Sequence, residues 1–112
     1  MVSPRDACEN IQMLTHIVCW KYRVDVDETA RESHRQRLRQ LAETIDEIES
    51  IAVGGDILDL DRSFHTGLVA TFADRPALDR YTAHTAHQEV VSIGREIAET
   101  VVSVDFIDSG NA

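Results

Sequence analysis

The sequence predicts one α+β domain in which four strands and two helices follow the order β-α-β-β-α-β. Two observations support this fold class. Runs rich in β-branched and aromatic residues, typical of strands, lie near both ends of the chain and around its middle. Between these runs are two segments whose apolar residues recur every three or four positions, as on one face of a helix. The 112 residues suffice for one hydrophobic core and not for two.

The first strand is predicted from Leu14 to Tyr22, after an aperiodic segment, residues 1–11, that is expected to be a flexible leader. Alternate side chains of a strand point to opposite faces. One face carries Leu14, His16, Val18, Trp20 and Tyr22, and the other carries Thr15, Ile17, Cys19 and Lys21. Both faces are largely apolar, so we expect both to be covered.

The first helix is predicted from residue 27 to residue 49, with Asp25 or Asp27 as its N-cap. Its apolar stripe consists of Leu38, Leu41, Ile45 and Ile48, and His34 extends that stripe by one turn. The opposite face is expected to be solvated and carries Arg31, Arg35, Arg39, Glu43 and Glu47. His34 itself is expected at the surface or at an edge of the fold.

Two further strands, residues 51–58 and 64–72, are separated by a short loop and are predicted to form a hairpin. The Gly54–Gly55 pair inside the first of them indicates a bulge or a close backbone approach. His65 is expected at the surface or at an edge. The glycine pair lacks the spacing of a phosphate-binding loop.

The second helix is predicted after Asp74, a good N-cap, with Pro76 in its first turn. We expect the helix to weaken over residues 82–86 and to continue in a second piece that includes Ile97. A final strand follows over residues 100–107, and residues 109–112 form a tail, so the domain spans residues 12–108.

This order is the ferredoxin-like arrangement, a four-stranded antiparallel sheet with both helices on one face. The helices leave one apolar face of the first strand uncovered. In so small a chain a second copy is the simplest cover, and two sheets packed face to face would enclose an α+β barrel. We therefore expect a homodimer.

Composition excludes several classes of partner. The formal net charge of -9 argues against binding to nucleic acid and to anionic membranes, both of which attract Lys and Arg. No apolar run approaches the roughly 20 residues that span a bilayer, and the first residues lack the apolar core of a signal peptide. The expected location is the cytoplasm. Two cysteines, Cys8 and Cys19, are too few for a disulfide framework and are expected to be free thiols.

The chemistry-bearing segment is residues 81–87, which places Tyr81, His84 and His87 at the predicted break between two helical pieces. Histidine exchanges a proton near neutral pH, and a tyrosine within its reach is a common acid–base partner. His16 lies far upstream in the first strand. If the fold brings His16 to the same pocket, the chain has the parts for proton transfer on a small molecule. Otherwise these are unrelated histidines.

No metal site or cofactor is expected. His84 and His87 have ligand-like spacing, but catalytic zinc usually needs three protein ligands, and neither an H-E-x-x-H motif nor a cysteine cluster is present. A surface-bound magnesium ion with mostly water ligands cannot be predicted from sequence. Asp105 in the final strand could be a functional carboxylate, although pairing with an arginine is the commoner explanation.

Four segments occur in a characteristic order and spacing: Thr15-His16-Ile17-Val18-Cys19-Trp20-Lys21-Tyr22, Thr71-Phe72-Ala73-Asp74, Tyr81-Thr82-Ala83-His84-Thr85-Ala86-His87 and Val101-Val102-Ser103-Val104-Asp105-Phe106. Together they resemble the stress-responsive A/B barrel (Dabb) family, over about residues 14–106. The resemblance implies a dimeric α+β barrel with a cleft between sheet and helices in each subunit. It also implies a small-molecule ligand. Within the family, cyclases of the olivetolic acid type close a linear polyketide by a cofactor-free aldol condensation.

By that resemblance His87 would act as base, Tyr81 would assist it and His16 would line the pocket. Val18, Trp20, Leu38 and His84 are the predicted substrate-binding residues. Two departures from the family pattern matter: Thr85 replaces a proline, which should soften the helix break, and the bulk of Trp20 should narrow the cleft. Two alternatives stay open, a cofactor-independent monooxygenase of quinol-like substrates and a non-catalytic stress-response or ligand-binding dimer.

Overall fold

The computed structural model describes residues 13–108, so the predicted leader and tail lie outside the described residues. Four strands and three helices follow the order β-α-β-β-α-α-β. The strands are β1 (Leu14–Tyr22), β2 (Ile48–Gly55), β3 (Thr66–Phe72) and β4 (Ala98–Ile107), and the helices are α1 (Glu28–Thr44), α2 (Arg75–Ala83) and α3 (Thr85–Ile97). The predicted ferredoxin-like fold is confirmed.

The four strands form one antiparallel sheet in the order β2-β3-β1-β4. Strand β1 is therefore central, and it has the predicted bounds because its β-branched and aromatic residues suit a pleated surface packed on its neighbours. Its face with Leu14, Val18, Trp20 and Tyr22 is buried beneath the helices. Leu68, Ala70 and Phe72 of β3 extend the same core.

Helix α1 begins after Asp27, whose side chain accepts a hydrogen bond from the Ala30 backbone, and it ends five residues earlier than predicted. Ile45 adopts an extended backbone conformation as the C-cap, and Ile48 begins β2. The three-residue spacing of these isoleucines continues the helical pattern by coincidence. Ile45 packs into the core from the helix end, whereas Ile48 packs from the edge strand.

The hairpin forms, but its strands are shifted from their predicted positions. Strand β2 ends at Gly55, where its pairing with Thr66 ends, so Ile57 and Leu58 lie exposed in the loop rather than in the strand. The register irregularity lies between Ile48 and Ser50 and not at the glycine pair. A close approach does occur at Gly55, because an added Cβ there would lie 3.3 Å from the guanidinium of Arg35.

The break between the last two helices is sharp despite Thr85. Asp74 caps α2 through the Ala77 backbone, as expected. His84 has an extended backbone conformation and serves both as C-cap of α2 and as N-cap of α3, accepting a hydrogen bond from the Ala86 backbone at 3.0 Å. A proline is therefore not needed to end the first helix, because the His84 side chain satisfies the start of the second.

A buried polar network corrects the sequence interpretation of two α1 residues. His34, expected at the surface, is 1% exposed, and its Nδ1 lies 2.7 Å from the Tyr22 hydroxyl. That hydroxyl donates to Thr66 Oγ1, which also accepts from Arg35. Arg35 was expected on a solvated face but is buried, and it forms ion pairs with Glu28 and Glu32. Polar partners on the sheet allow both side chains to be buried.

His65 is half-buried and accepts a hydrogen bond from the Tyr22 backbone.

The face of the sheet away from the helices is apolar, and none of residues 13–108 covers it. Four apolar side chains on this face are about half exposed: Val69 (42%), Val102 (47%), Val104 (52%) and Phe106 (44%). Ile17 of β1 lies between Val69 of β3 and Val104 of β4 in the strand register, so these side chains form one patch. Contiguous exposed apolar patches of this kind mark association surfaces.

Candidate active site

A cavity of about 300 Å³ lies between the inner face of the sheet and the three helices. This volume is at the lower end of the range for small-molecule sites. Its lining consists of His16, Val18, Trp20, Leu38, Leu68, Tyr81, His87, Val90, Val91, Arg95, Val101 and Ser103. The inward-facing residues of β1 supply one wall, and α2 and α3 supply the opposite wall.

The cavity brings together almost every residue singled out from the sequence. All three predicted catalytic residues line it, and Val18, Trp20 and Leu38 line it as well. His84 is not among the lining side chains, because its ring is turned to the Ala86 backbone as a helix cap. Trp20 is 8% exposed and occupies the cavity wall, where its ring packs edge-on against His34.

Tyr81 lies at the centre of the aromatic cluster. Its ring centroid is 4.3 Å from that of His87 and 5.9 Å from that of His16, and Phe72 packs on it at 4.8 Å. The side chain is 2% exposed, and its hydroxyl has no hydrogen-bond partner among residues 13–108. Burial raises the pKa of Tyr81 to about 12, so the hydroxyl stays protonated and can donate at neutral pH.

His87 is held in one tautomer by the end of α2. Its Nδ1 lies 3.1 Å from the carbonyl oxygen of Thr82, which can only accept, so Nδ1 carries the hydrogen. The neutral ring therefore has its lone pair on Nε2. Burial lowers the pKa of His87, the Thr82 carbonyl opposes that effect, and the neighbouring His16 and His84 add to the lowering. At neutral pH the ring is uncharged and Nε2 is basic.

His16 has a carboxylate partner that the sequence did not identify. Its Nδ1 hydrogen-bonds to Asp105 Oδ1, and the two residues face each other directly across β1 and β4. The arginine partner expected for Asp105 is thus replaced by a histidine, while Arg75 interacts with Asp105 only electrostatically. Because the carboxylate accepts from Nδ1, it orients the imidazole. The antiparallel pairing of first and last strands was the signal that could have revealed this pair.

Two other features of the described residues bear on the possible chemistry. No group of three or more His, Cys, Asp and Glu side chains within residues 13–108 is arranged to hold a metal ion. None of the three helices is both long and apolar enough to cross a membrane. The arrangement at the cavity can instead combine a base, a hydrogen-bond donor and a carboxylate-oriented imidazole.

Comparison with protein families gives one match. The model of the stress responsive A/B barrel domain, Dabb, matches residues 14–108. None of the curated proteins matches the sequence significantly.

Solved structures similar to this chain include dimeric proteins of the same fold. A dimeric ferredoxin-like protein of unknown function from Thermobifida fusca has a TM-score of 0.79 and 21% identity over 87% of this chain and 92% of its own. One from Bacteroides fragilis has a TM-score of 0.76 and 25% identity, covering 86% and 96%. A hydroxynitrile lyase from Passiflora edulis has a TM-score of 0.82 and 15% identity, covering 91% and 98%.

Proposed function

Because this chain belongs to the stress-responsive A/B barrel domain family, we propose that it is a cofactor-free acid–base catalyst acting on a small carbonyl compound. The reaction class is a cyclisation, condensation or isomerisation of a polyketide-like molecule with two or more carbonyl groups. In such substrates the carbon between two carbonyl groups has an acidic C–H bond, and one positioned base can remove its proton.

One observation carries the proposal: a base and a hydrogen-bond donor lie side by side in the wall of one cavity. The rings of Tyr81 and His87 are 4.3 Å apart, and both line the cavity. The Thr82 carbonyl fixes the His87 hydrogen on Nδ1, leaving Nε2 as the basic atom. The Tyr81 hydroxyl has no partner within residues 13–108, so it is available to a ligand oxygen.

Each residue then has a definite role. His87 Nε2 takes the proton from the carbon flanked by carbonyls, and Tyr81 donates a hydrogen bond to the enolate oxygen that forms. The carbanion adds to a second carbonyl carbon of the same molecule, forming a carbon–carbon bond. The His87 imidazolium returns its proton to the resulting alkoxide oxygen, so atoms and charge balance. His16 donates its Nδ1 hydrogen to Asp105, so on the opposite wall its Nε2 accepts a hydrogen bond from an enol or hydroxyl group of the substrate.

The working form is proposed to be a homodimer joined through the outer face of the sheet. Similar structures from Thermobifida fusca and Bacteroides fragilis are described as dimeric. The exposed valines and Phe106 on that face support the same association here. Burying this patch against a second copy removes apolar surface from water, at about 25 cal/mol per Å².

The test is cyclisation of a set of linear β-triketones by the wild-type protein and by His87→Gln, followed by mass spectrometry and ultraviolet absorbance. Gln88→Ala is the matched control, because Gln88 donates to the same Thr82 carbonyl at 2.8 Å but does not line the cavity. We expect His87→Gln to lose on the order of 10²–10⁴ in rate, the usual contribution of a general base. Gln88→Ala should stay within about threefold of wild type.

Equal rates for wild type and His87→Gln would overturn the assignment of the base. Binding of triketones without any turnover would favour the non-catalytic ligand-binding alternative. The quinol monooxygenase alternative has the electron-rich Trp20 in the cavity wall in its favour. Oxygen uptake with a hydroquinone, lost on replacement of Trp20 by Leu, would support that reading against the cyclase.

A further inference from the structure

The cavity has two chemically different ends. Along β1, His16 and Trp20 are four residues apart, which spans about 13 Å of extended chain. Along α3, His87 and Arg95 are eight residues apart, which spans about 12 Å of helix axis. The rings of His16 and His87 both pack against Tyr81, near the starts of the two elements. The Arg23 backbone, just after β1, bonds to the Ile97 carbonyl at the end of α3, so the two elements run in the same direction. His16 and His87 therefore share one end, and Trp20 and Arg95 share the other.

Arg95 is a cation with no ionic partner within the described residues. Its side chain is exposed, and its guanidinium group makes no ion pair or hydrogen bond with any of residues 13–108. Arg37 and Arg62 are likewise unpaired within this range, but they lie outside the cavity. Among residues 13–108 Arg95 is the one arginine that lines the cavity, and no lysine or carboxylate of the same range lines it. In a chain whose net charge is -9, this leaves a local positive charge beside an apolar cavity.

The lining between the two ends is apolar. Five apolar side chains separate the histidine end from Arg95, namely Val18, Leu38, Leu68, Val90 and Val91. A ligand that matches this wall has a carbonyl-bearing end, a hydrocarbon middle and an anionic end. A single guanidinium suits a carboxylate, which it can bind through two parallel hydrogen bonds. A phosphate group carries nearly two negative charges at neutral pH, of which one guanidinium neutralises only one.

From this geometry we infer that Arg95 binds the carboxylate of an elongated oxo acid whose carbonyl end reaches Tyr81 and His87. The inference rests on the proposed function only for the position of the reacting end. The pairing of Arg95 with a carboxylate stands independently of any turnover. Arg95 thereby selects acids over neutral compounds of the same length.

The test compares binding of 8,10-dioxoundecanoic acid with binding of its methyl ester by titration calorimetry. In this acid the reactive methylene and the carboxylate are about 10 Å apart when extended. We expect the wild type to bind the acid about five- to tenfold more tightly than the ester, the size of a partly exposed charge-assisted pair. Arg95→Gln should abolish that preference, and Arg95→Lys should keep part of it.

Arg37→Gln is the matched control, since Arg37 is an exposed arginine outside the cavity, and it should keep the full preference. Equal affinities for acid and ester in the wild type, or an acid preference retained in Arg95→Gln, would overturn the inference. His87→Gln separates the two proposals, because it should lose turnover of triketones and retain the acid preference. An acid preference that depends on Arg95 in a protein without any turnover would uphold the carboxylate site and reject the catalytic proposal.

Discussion

Replacing Tyr22 by Phe should destabilise the fold strongly although it removes one oxygen atom. The Tyr22 hydroxyl is the centre of the buried network, and its ring is 1% exposed. It donates to Thr66 Oγ1 at 2.9 Å, so the contact with His34 Nδ1 at 2.7 Å requires the histidine to donate. In the Phe variant the Nδ1 hydrogen of His34 has lost its acceptor inside the core. His34 Nε2 is already a buried atom without a hydrogen-bond partner among the described residues.

The magnitude follows from these contacts. A buried donor left without a partner costs about 1–3 kcal/mol, and the lost bond to Thr66 adds about 1 kcal/mol. Removing the desolvation cost of the hydroxyl offsets part of this sum. We expect a loss of about 2–3 kcal/mol in the free energy of unfolding. With a urea dependence of about 1 kcal/mol per molar, the unfolding midpoint falls by about 2–3 M.

The assay is urea denaturation at one fixed protein concentration, because the proposed dimerisation would make apparent stability depend on concentration. Tyr81→Phe is the matched control. Both tyrosines are buried, but the Tyr81 hydroxyl has no partner to lose within the described residues. It should unfold within about 0.5 kcal/mol of wild type. A Tyr22→Phe variant as stable as Tyr81→Phe would refute the reasoning about the network.

Three further predictions follow from the buried histidines, the cavity and the uncovered sheet face. Burial lowers the pKa of His34 to about 4, so between pH 6.5 and 4 the unfolded chain binds a proton that the folded chain does not. The free energy of unfolding, measured by urea denaturation, should therefore fall as pH drops from 6.5 to 4. An equally steep fall in His34→Gln would show that protonation of His34 is not the cause. Burial lowers the pKa of His87 and raises that of Tyr81 to about 12, so His87 stays a neutral base and Tyr81 stays a protonated donor around neutral pH. The rate of triketone turnover should therefore stay constant from alkaline pH to below pH 6.5 and decline only when His87 is protonated. A decline centred above pH 6.5 would rule out His87 as the base. Val104→Lys places a charge in the apolar sheet face and should yield monomers by light scattering. The control Val24→Lys, at a fully exposed valine, should stay dimeric. An unchanged dimer in Val104→Lys would place the interface elsewhere.

Local pattern was enough to predict the elements whose own residues determine them. The bounds of β1 follow from its run of β-branched and aromatic residues, and the starts of α1 and α2 follow from Asp27 and Asp74 as caps. The end of α1 was missed because Ile45 and Ile48 keep a helical spacing while serving a cap and a strand. Spacing alone cannot distinguish these cases.

Residues whose environment is set by distant segments were harder to interpret. Arg35 looked solvated because its helical neighbours are charged, yet Thr66 on β3 and the small Gly55 make room for it. The partner of His16 depended on the register between β1 and β4, which no local pattern specifies. Arg95 attracted no attention in the sequence because an arginine in the last turn of a helix is ordinary. Its significance comes from the cavity beside it.

Proton abstraction by His87 can be measured directly. Exchange of the α-protons of a small phenyl ketone with deuterated water, followed by proton NMR, reports the first step without requiring the true substrate. We expect faster exchange with the wild type than with His87→Gln, and exchange with Gln88→Ala should match the wild type. Exchange at the same rate with wild type and His87→Gln would contradict the claim that this cavity holds a working base.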